Sequence, residues 1–294
     1  MSSNGFEWKI LDFFDQFKCK FLDIFNQYIS EIFGMIAIVL IIMVVYWCIS
    51  KENGKMIAYN SIVIMCINGI LKGFINRKRP FETEGKEYLR KLNLKKDGAL
   101  GSSFPSGHSM NAAGLYGSVI YFYHEKKYFL FDIFCIIVTI LVGVSRIYLG
   151  VHFFTDVLFG ILFSIVLLIV FSKIQLLLKN KNLFLYLVTL IIIGPFCFFG
   201  EFGRSYIKSY GLLVGFVMGT LLEEKFINFD NNVSLKNKII RVLLGVVFVG
   251  GIYLIYSLVP TNLHNNYIFT FICHSLLAFN GFFLVPLIFN KIEK

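Results

Sequence analysis

The stretch IFGMIAIVLIIMVVYWCI, residues 32–49, decides the fold. It carries no charged side chain, and its length is close to the roughly 20 residues a helix needs to cross the hydrocarbon core of a bilayer. Backbone N–H and C=O groups find no water in lipid, so a helix, which satisfies them internally, is the form such a run must take. Eight more apolar stretches follow, at about 56–75, 108–123, 128–147, 153–175, 183–200, 206–222, 239–259 and 267–289; the third and seventh of the nine are the shortest. The whole chain shares this character. Of its 294 residues 57% are hydrophobic and 16% charged, 34 are Phe, and the mean hydropathy is +0.72. A water-soluble domain needs far more polar surface than that. We therefore expect an all-α, polytopic transmembrane bundle of about eight or nine spans.

Ahead of the first span, Phe6, Ile10, Phe13, Phe14, Phe17, Phe21, Ile24, Phe25 and Tyr28 recur at helical spacing, with Glu7, Asp12, Asp15, Lys18 and Asp23 between them. The pattern predicts an amphipathic helix lying in the membrane interface; an ordinary helix packed on the bundle fits it equally well. The one substantial polar insertion is 76–104. These boundaries divide the chain into an N-terminal segment (1–31), a membrane core (32–175) and additional C-terminal helices (176–294). A net charge of +10 suits basic loops beside anionic lipid. No zinc-finger spacing, basic helix or aromatic RNA-binding motif accompanies it, so no nucleic-acid partner is expected. Five of the six cysteines sit inside apolar stretches and none forms a CxxC pair. They read as small buried hydrophobes rather than disulfides or metal ligands. No short basic region precedes a cleavable apolar core, so no signal peptide is expected.

Nine crossings put the 2–3, 4–5, 6–7 and 8–9 loops on one membrane face with the N-terminus. Basic residues nearly tie between the two faces. Those of this face crowd into the 76–104 insertion, whereas every loop of the opposite face is basic, which makes the opposite face the expected cytoplasmic one.

Three polar clusters interrupt the apolar background, and this span count brings all of them to the first face. In Lys72-Gly-Phe-Ile-Asn-Arg-Lys-Arg79-Pro80, a helix would place Lys72 and Arg79 on one side, seven residues apart, with Pro80 ending it. Snorkelling cations at a membrane boundary give the same pattern. In Ser102-Ser-Phe-Pro-Ser106-Gly107-His108-Ser109, a turn feeds a helix N-terminus, whose free N–H groups and positive dipole end suit a phosphate. A plain N-cap with an interfacial His fits as well. In Ser145-Arg146-Ile-Tyr-Leu-Gly-Val-His152-Phe-Phe-Thr-Asp156, the His and Asp are four apart and would share a helix face, the carboxylate fixing the imidazole tautomer. Ionisable groups inside membrane spans usually mark function, which weighs against a purely structural pair. Together the clusters offer three cations to a phosphate, one His to attack phosphorus and another to protonate the departing oxygen. Elsewhere Glu201 and Arg204 suit an interfacial ion pair, and His274 and Asn280 suit contacts between helices.

In order and spacing, the clusters resemble the signature of the type 2 phosphatidic acid phosphatase superfamily: Lys-x6-Arg-Pro, then Pro-Ser-Gly-His, then Ser-Arg-x5-His-x3-Asp. The motifs cover residues 72–156, and the extra spans are similar to those of longer bacterial members. The resemblance implies a lipid phosphatase in which His152 is the nucleophile that forms a phosphohistidine, Asp156 orients it and His108 donates the proton. Lys72, Arg79, Ser106, Gly107 and Arg146 would bind phosphate. It implies no metal and no cofactor. The expected partners are a lipid phosphate substrate and membrane lipid, with undecaprenyl diphosphate as the first substrate; phosphatidic acid, phosphatidylglycerol phosphate, sphingoid phosphates and transfer to an acceptor hydroxyl stay open. The expected setting is a bacterial plasma membrane with the site on its extracytoplasmic face.

Overall fold

The computed structural model describes residues 5–83, 101–178, 181–197 and 203–293, all helix, turn or irregular chain. Most of the 76–104 insertion therefore lies outside the described residues, as does Glu201. We number the helices α1 (Phe6–Asp15), α2 (Lys20–Ile49), α3 (Lys51–Ile75), α4 (Gly107–Tyr123), α5 (Phe129–Tyr148), α6 (Phe154–Leu178), α7 (Asn182–Phe196), α8 (Arg204–Phe226), α9 (Leu235–Leu258) and α10 (Tyr267–Ile292).

Each of the nine apolar stretches is a helix, α2 to α10. Seven are long and apolar enough to cross a membrane; α4, at 17 residues, and α7 fall short. The seventh stretch, expected among the shortest, is a full crossing helix of 23 residues. The sixth is the shorter one among the described residues, with Gly194 and Pro195 in a 3-10 turn at Gly194–Cys197. Large apolar side chains such as Leu130, Ile136, Val166, Ile191, Val247 and Leu254 are exposed, the arrangement of a bundle solvated by lipid. The amphipathic stretch before the first span is two helices, broken at residues 16–19. Of these α1 buries Trp8 and Leu11 and leaves Phe6 and Phe13 exposed, while α2 runs on through the first span.

The chain divides into two compact units. The first comprises Met1–Ile38 and Ile67–Val170. Its helix α4 is buried from Ser109 to Tyr116, a run in which Ser109, Ala112, Ala113 and Gly114 let neighbouring helices approach. At one end of the unit Trp8, Leu11, Phe81, Ile147, Tyr148, Leu149, Val151, Phe153 and Val157 form an apolar cluster, with the Trp8 and Phe153 rings edge to face at 5.1 Å.

The second unit comprises Val39–Cys66 and Phe171–Lys294. Tyr46 and Trp47 pack there against Phe282 and Phe289. Arg241, almost fully buried, pairs with Glu293 at 2.6 and 2.8 Å and donates to the Trp47 carbonyl at 2.7 Å. Lys51 reaches the buried Glu223 at 2.8 Å. A charge removed from water is tolerable only when paired in this way.

Candidate active site

All eight residues singled out in the sequence fall in the first unit. The end of α3 sets the first group. Asn76 adopts the left-handed conformation (φ 39°), and its N–H donates to the Lys72 carbonyl at 3.2 Å, which closes the helix at Ile75. Asn tolerates that region better than most residues because its short amide bonds locally. The chain then leaves the helix axis, so Lys72 and Arg79 do not share a helix face as the spacing suggested; the helix ends before Arg79, and Pro80 opens a separate short turn. Arg79 instead arrives through that extended segment. Its Nε donates to the Gly101 carbonyl at 3.0 Å and its Nη1 to the Val151 carbonyl at 3.1 Å. Lys72 Nζ donates to the Ser102 carbonyl at 2.8 Å. The Arg77 N–H donates to Ser102 Oγ and the Ser103 N–H to the Arg77 carbonyl, at 2.9 and 2.7 Å, tying the first cluster to the second.

Ser106 stands at the N-cap of α4, and its own N–H donates to the Asp156 carbonyl at 2.9 Å. Gly160 of α6 makes this approach possible: a Cβ there would lie 3.1 Å from the Ser106 carbonyl oxygen. Asn68 Nδ2 donates to the Pro105 carbonyl at 3.2 Å and steadies the turn. The first turn of α4, with Gly107 and His108, thus starts beside Asp156, where a helix N-terminus carries free N–H groups and the positive dipole end. The His108 ring lies against Gly34, where a Cβ would sit 3.2 Å from Cδ2; Gly34 belongs to a π-helical turn of α2 at Ile32–Ile36.

The third group sits at the α5–α6 junction. Gly150 (φ 68°) turns the chain, and His152 lies two residues before α6 begins. His152 is therefore not on the helix face with Asp156, as its spacing had suggested, yet the two meet: Nδ1 is 3.5 Å from Oδ2. Asp156 is fully buried and heavily bonded. It accepts from the Phe153 N–H at 2.8 Å, from Ser103 Oγ at 2.5 Å and from Arg77 Nη1 at 2.7 Å. Ser103 Oγ is also 3.4 Å from His152 Nδ1. On the other side of the ring Nε2 lies 3.4 Å from Arg79 Nη1. A guanidinium only donates, so Nε2 presents its lone pair and the imidazole proton resides on Nδ1, towards the carboxylate.

Arg146, 1% exposed, donates from Nη1 to Ser30 Oγ at 3.0 Å. The His152 imidazole is held well below its ordinary pKa, first by burial and then by the charges of Arg79, Lys72 and Arg146. His108 lies within electrostatic reach of Arg146, His152, Lys72 and Arg79. Lys72, Arg79 and Arg146 thus lie within electrostatic reach of both imidazoles, and the arrangement suits a phosphate group. Among the described residues no group of three or more His, Cys, Asp or Glu side chains gathers at metal-binding spacing.

Several contributors escaped the sequence reading. Arg77 lies inside the first cluster, but spacing alone assigns it nothing; here it links Asp156 to Glu7, whose Oε2 accepts from Nη2 at 2.6 Å. Glu7 Oε1 also accepts from Thr155 Oγ1 at 2.5 Å. Ser103 precedes the Pro-Ser-Gly-His run without standing out from Ser102. Glu7, Ser30 and Asn68 carry no local signal at all.

Comparison with known proteins places this site in a lineage. Residues 55–179 match the PAP2 superfamily, and residues 207–294 match the transmembrane extension of PAP2 superfamily phosphatases. The chain belongs to the PAP2 superfamily. The first PAP2 match spans all three clusters, and the second accounts for most of α8 and for α9 and α10, the helices to which the sequence motifs assigned no role. Phosphatidylglycerophosphatase B of Bacillus subtilis (strain 168) is 51% identical over 114 residues, 36% of this chain and 48% of that protein. The bacitracin transport permease protein BcrC of Bacillus licheniformis is 31% identical over 127 residues, 42% of this chain and 58% of that protein. The chain spans about half the length of the curated relatives it matches. No solved structure matches it. With its apolar helices and transmembrane extension, this PAP2 member is an integral membrane protein.

Proposed function

We propose that this PAP2 protein is a phosphatase that hydrolyses a lipid phosphate or diphosphate through a phosphohistidine. His152 Nε2 attacks phosphorus, and the bond from phosphorus to the leaving oxygen breaks as His108 donates a proton to that oxygen. Water then attacks the phosphohistidine, His108 takes its proton, and inorganic phosphate leaves with His152 restored. Lys72, Arg79 and Arg146 bind the phosphate oxygens, and Ser106 and Gly107 add the hydroxyl and N–H groups of the α4 N-terminus. Asp156 holds the Nδ1–H, and Arg77 and Ser103 hold Asp156. The observation that carries this reading is the placement of the His152 ring, with Nδ1 3.5 Å from the buried Asp156 carboxylate and Nε2 3.4 Å from Arg79 Nη1.

In this reading residues 32–175 are the catalytic core, with 1–31 and 176–294 as additions to it. The protein sits in a bacterial plasma membrane with the site on the extracytoplasmic face, the lipid tail staying in the bilayer while the head group enters among the cations. Undecaprenyl diphosphate is the first substrate to try. Phosphatidylglycerol phosphate is the second, favoured by the 51% identity to a protein named phosphatidylglycerophosphatase B. The test is phosphate release by the purified protein in detergent from these two lipids and phosphatidic acid, with candidate acceptor alcohols added in parallel. Free phosphate supports a hydrolase and a phosphorylated acceptor a transferase; no turnover of any of them refutes the assignment.

A further inference from the structure

Residues 6–8 of α1 meet residues 153–155 side chain for side chain. The Phe6 ring meets Phe154 at 6.1 Å and the Trp8 ring meets Phe153 at 5.1 Å, both edge to face. Glu7 is fixed between these two contacts. Its Oε1 accepts from Thr155 Oγ1 at 2.5 Å, and its Oε2 accepts from Arg77 Nη2 at 2.6 Å. Arg77 is held from other sides as well. Its Nη1 donates to Thr155 Oγ1 and to Asp156 Oδ1, both at 2.7 Å, and its guanidinium lies 4.3 Å from the centre of the Phe153 ring. One guanidinium therefore joins two carboxylates, the fully buried Asp156 and Glu7, whose side chain is 26% exposed.

A carboxylate behind an attacking imidazole is useful for its negative charge. As the bond from His152 Nε2 to phosphorus forms and the bond from phosphorus to the leaving oxygen breaks, the ring keeps its Nδ1 proton and becomes positive. The cations around it oppose that change: Lys72 of α3, Arg79 beyond it and Arg146 of α5 all act on the imidazole, and His108 of α4 lies within reach of it. Asp156 faces Nδ1 with one oxygen, but its other oxygen is committed to Arg77. Seen from the ring, a carboxylate paired with a guanidinium is close to neutral, because the two fields largely cancel. Glu7 lies on the far side of Arg77 and returns a negative charge. Glu7, Arg77 and Asp156 together carry one net negative charge, whereas Arg77 and Asp156 alone carry none.

We propose that Glu7 is a positioning residue for the phosphatase reaction, resting on the reading of the site given above: through Arg77 it keeps the Asp156 carboxylate oriented and negatively charged towards His152. The purified full chain in detergent is assayed for phosphate release from undecaprenyl diphosphate and phosphatidylglycerol phosphate. Glu7→Gln keeps the size of the side chain, and its amide accepts from Arg77 while donating to Thr155 Oγ1, so the variant removes the charge alone. It is expected to lower kcat roughly tenfold, the scale of one charge acting across about 10 Å of protein interior, with KM no higher than that of the wild type. Glu7→Asp keeps the charge and is expected to recover most of the rate. Added to Arg77→Ala, Glu7→Gln is expected to cost less than about twofold more, because the route through Arg77 is already cut. Should Glu7→Gln fail to fold, as judged by gel filtration, Glu7→Ser, which keeps an oxygen acceptor without the charge, supplies the same comparison. A Glu7→Gln rate equal to that of the wild type overturns the proposal. So does an equal loss in Glu7→Asp, which would make shape rather than charge the contribution of residue 7, and so does an undiminished further loss on the Arg77→Ala background. The wild type in the same assay separates the two readings. No phosphate released from either lipid removes the phosphatase reading and this role with it, whereas wild-type turnover that Glu7→Gln leaves unaffected removes the role of Glu7 alone.

Discussion

In the proposed mechanism His152 serves as nucleophile through three properties: a lone pair on Nε2, a proton on Nδ1 facing the Asp156 carboxylate, and a neutral ring. Burial and the nearby cations hold its pKa well below the usual value of about 6.5. The neutral ring is the attacking one, so the acid limb of kcat/KM that His152 sets is expected to centre below about 6.5; an acid limb centred at or above that value would contradict the assignment. His152→Ala should abolish phosphate release, and His108→Ala should lower it by about 10²–10⁴-fold, the worth of a general acid; full-rate turnover by either folded variant would remove the proposed roles. Arg77 stands one step back, donating to Asp156 at 2.7 Å, and in the proposed mechanism it helps to orient that carboxylate. Arg77→Ala should cut kcat by about 100-fold through misplacement of His152, with KM little changed. Arg77→Lys should recover part of the loss, whereas a purely structural role would show as lost folding with normal turnover in the surviving protein.

Helix ends rather than helix faces assemble the site. The α3 helix stops at Asn76 and delivers Arg79 by an extended segment, α4 begins at Ser106, and His152 lies in the turn before α6. A β-branched residue resists the left-handed conformation of residue 76, so Asn76→Val should destabilise the protein by about 1–2 kcal/mol while Asn76→Gly is tolerated. Thermal unfolding in detergent measures the difference, and equal midpoints for the two variants would show that this turn does not set the end of α3. The α1 helix was legible as amphipathic, but its apolar face meets Phe153 and its Glu7 meets Arg77, the residue that donates to Asp156.

At the scale of the whole molecule, the proposed mechanism relies on three cations and two imidazoles for the charge that metal-dependent phosphatases take from an ion. Phosphate release is therefore expected to persist in excess chelator; activity that collapses there and returns with a divalent cation would refute a mechanism carried by these side chains alone.

The sequence by itself determined the membrane bundle, because a run such as residues 32–49 has only one stable backbone form in lipid. It also determined the chemical inventory, because Lys72, Arg79, His108, Arg146, His152 and Asp156 are costly in apolar surroundings unless they serve a purpose. Only the tertiary structure decided how those groups meet. Helical periodicity placed Lys72 with Arg79 and His152 with Asp156 on common faces, and both pairs instead straddle a helix end. Periodicity describes only the interior of a helix, whereas the contacts of Arg77 with Glu7 and of Arg146 with Ser30 join residues 70 and 116 positions apart, a distance over which no local pattern carries information.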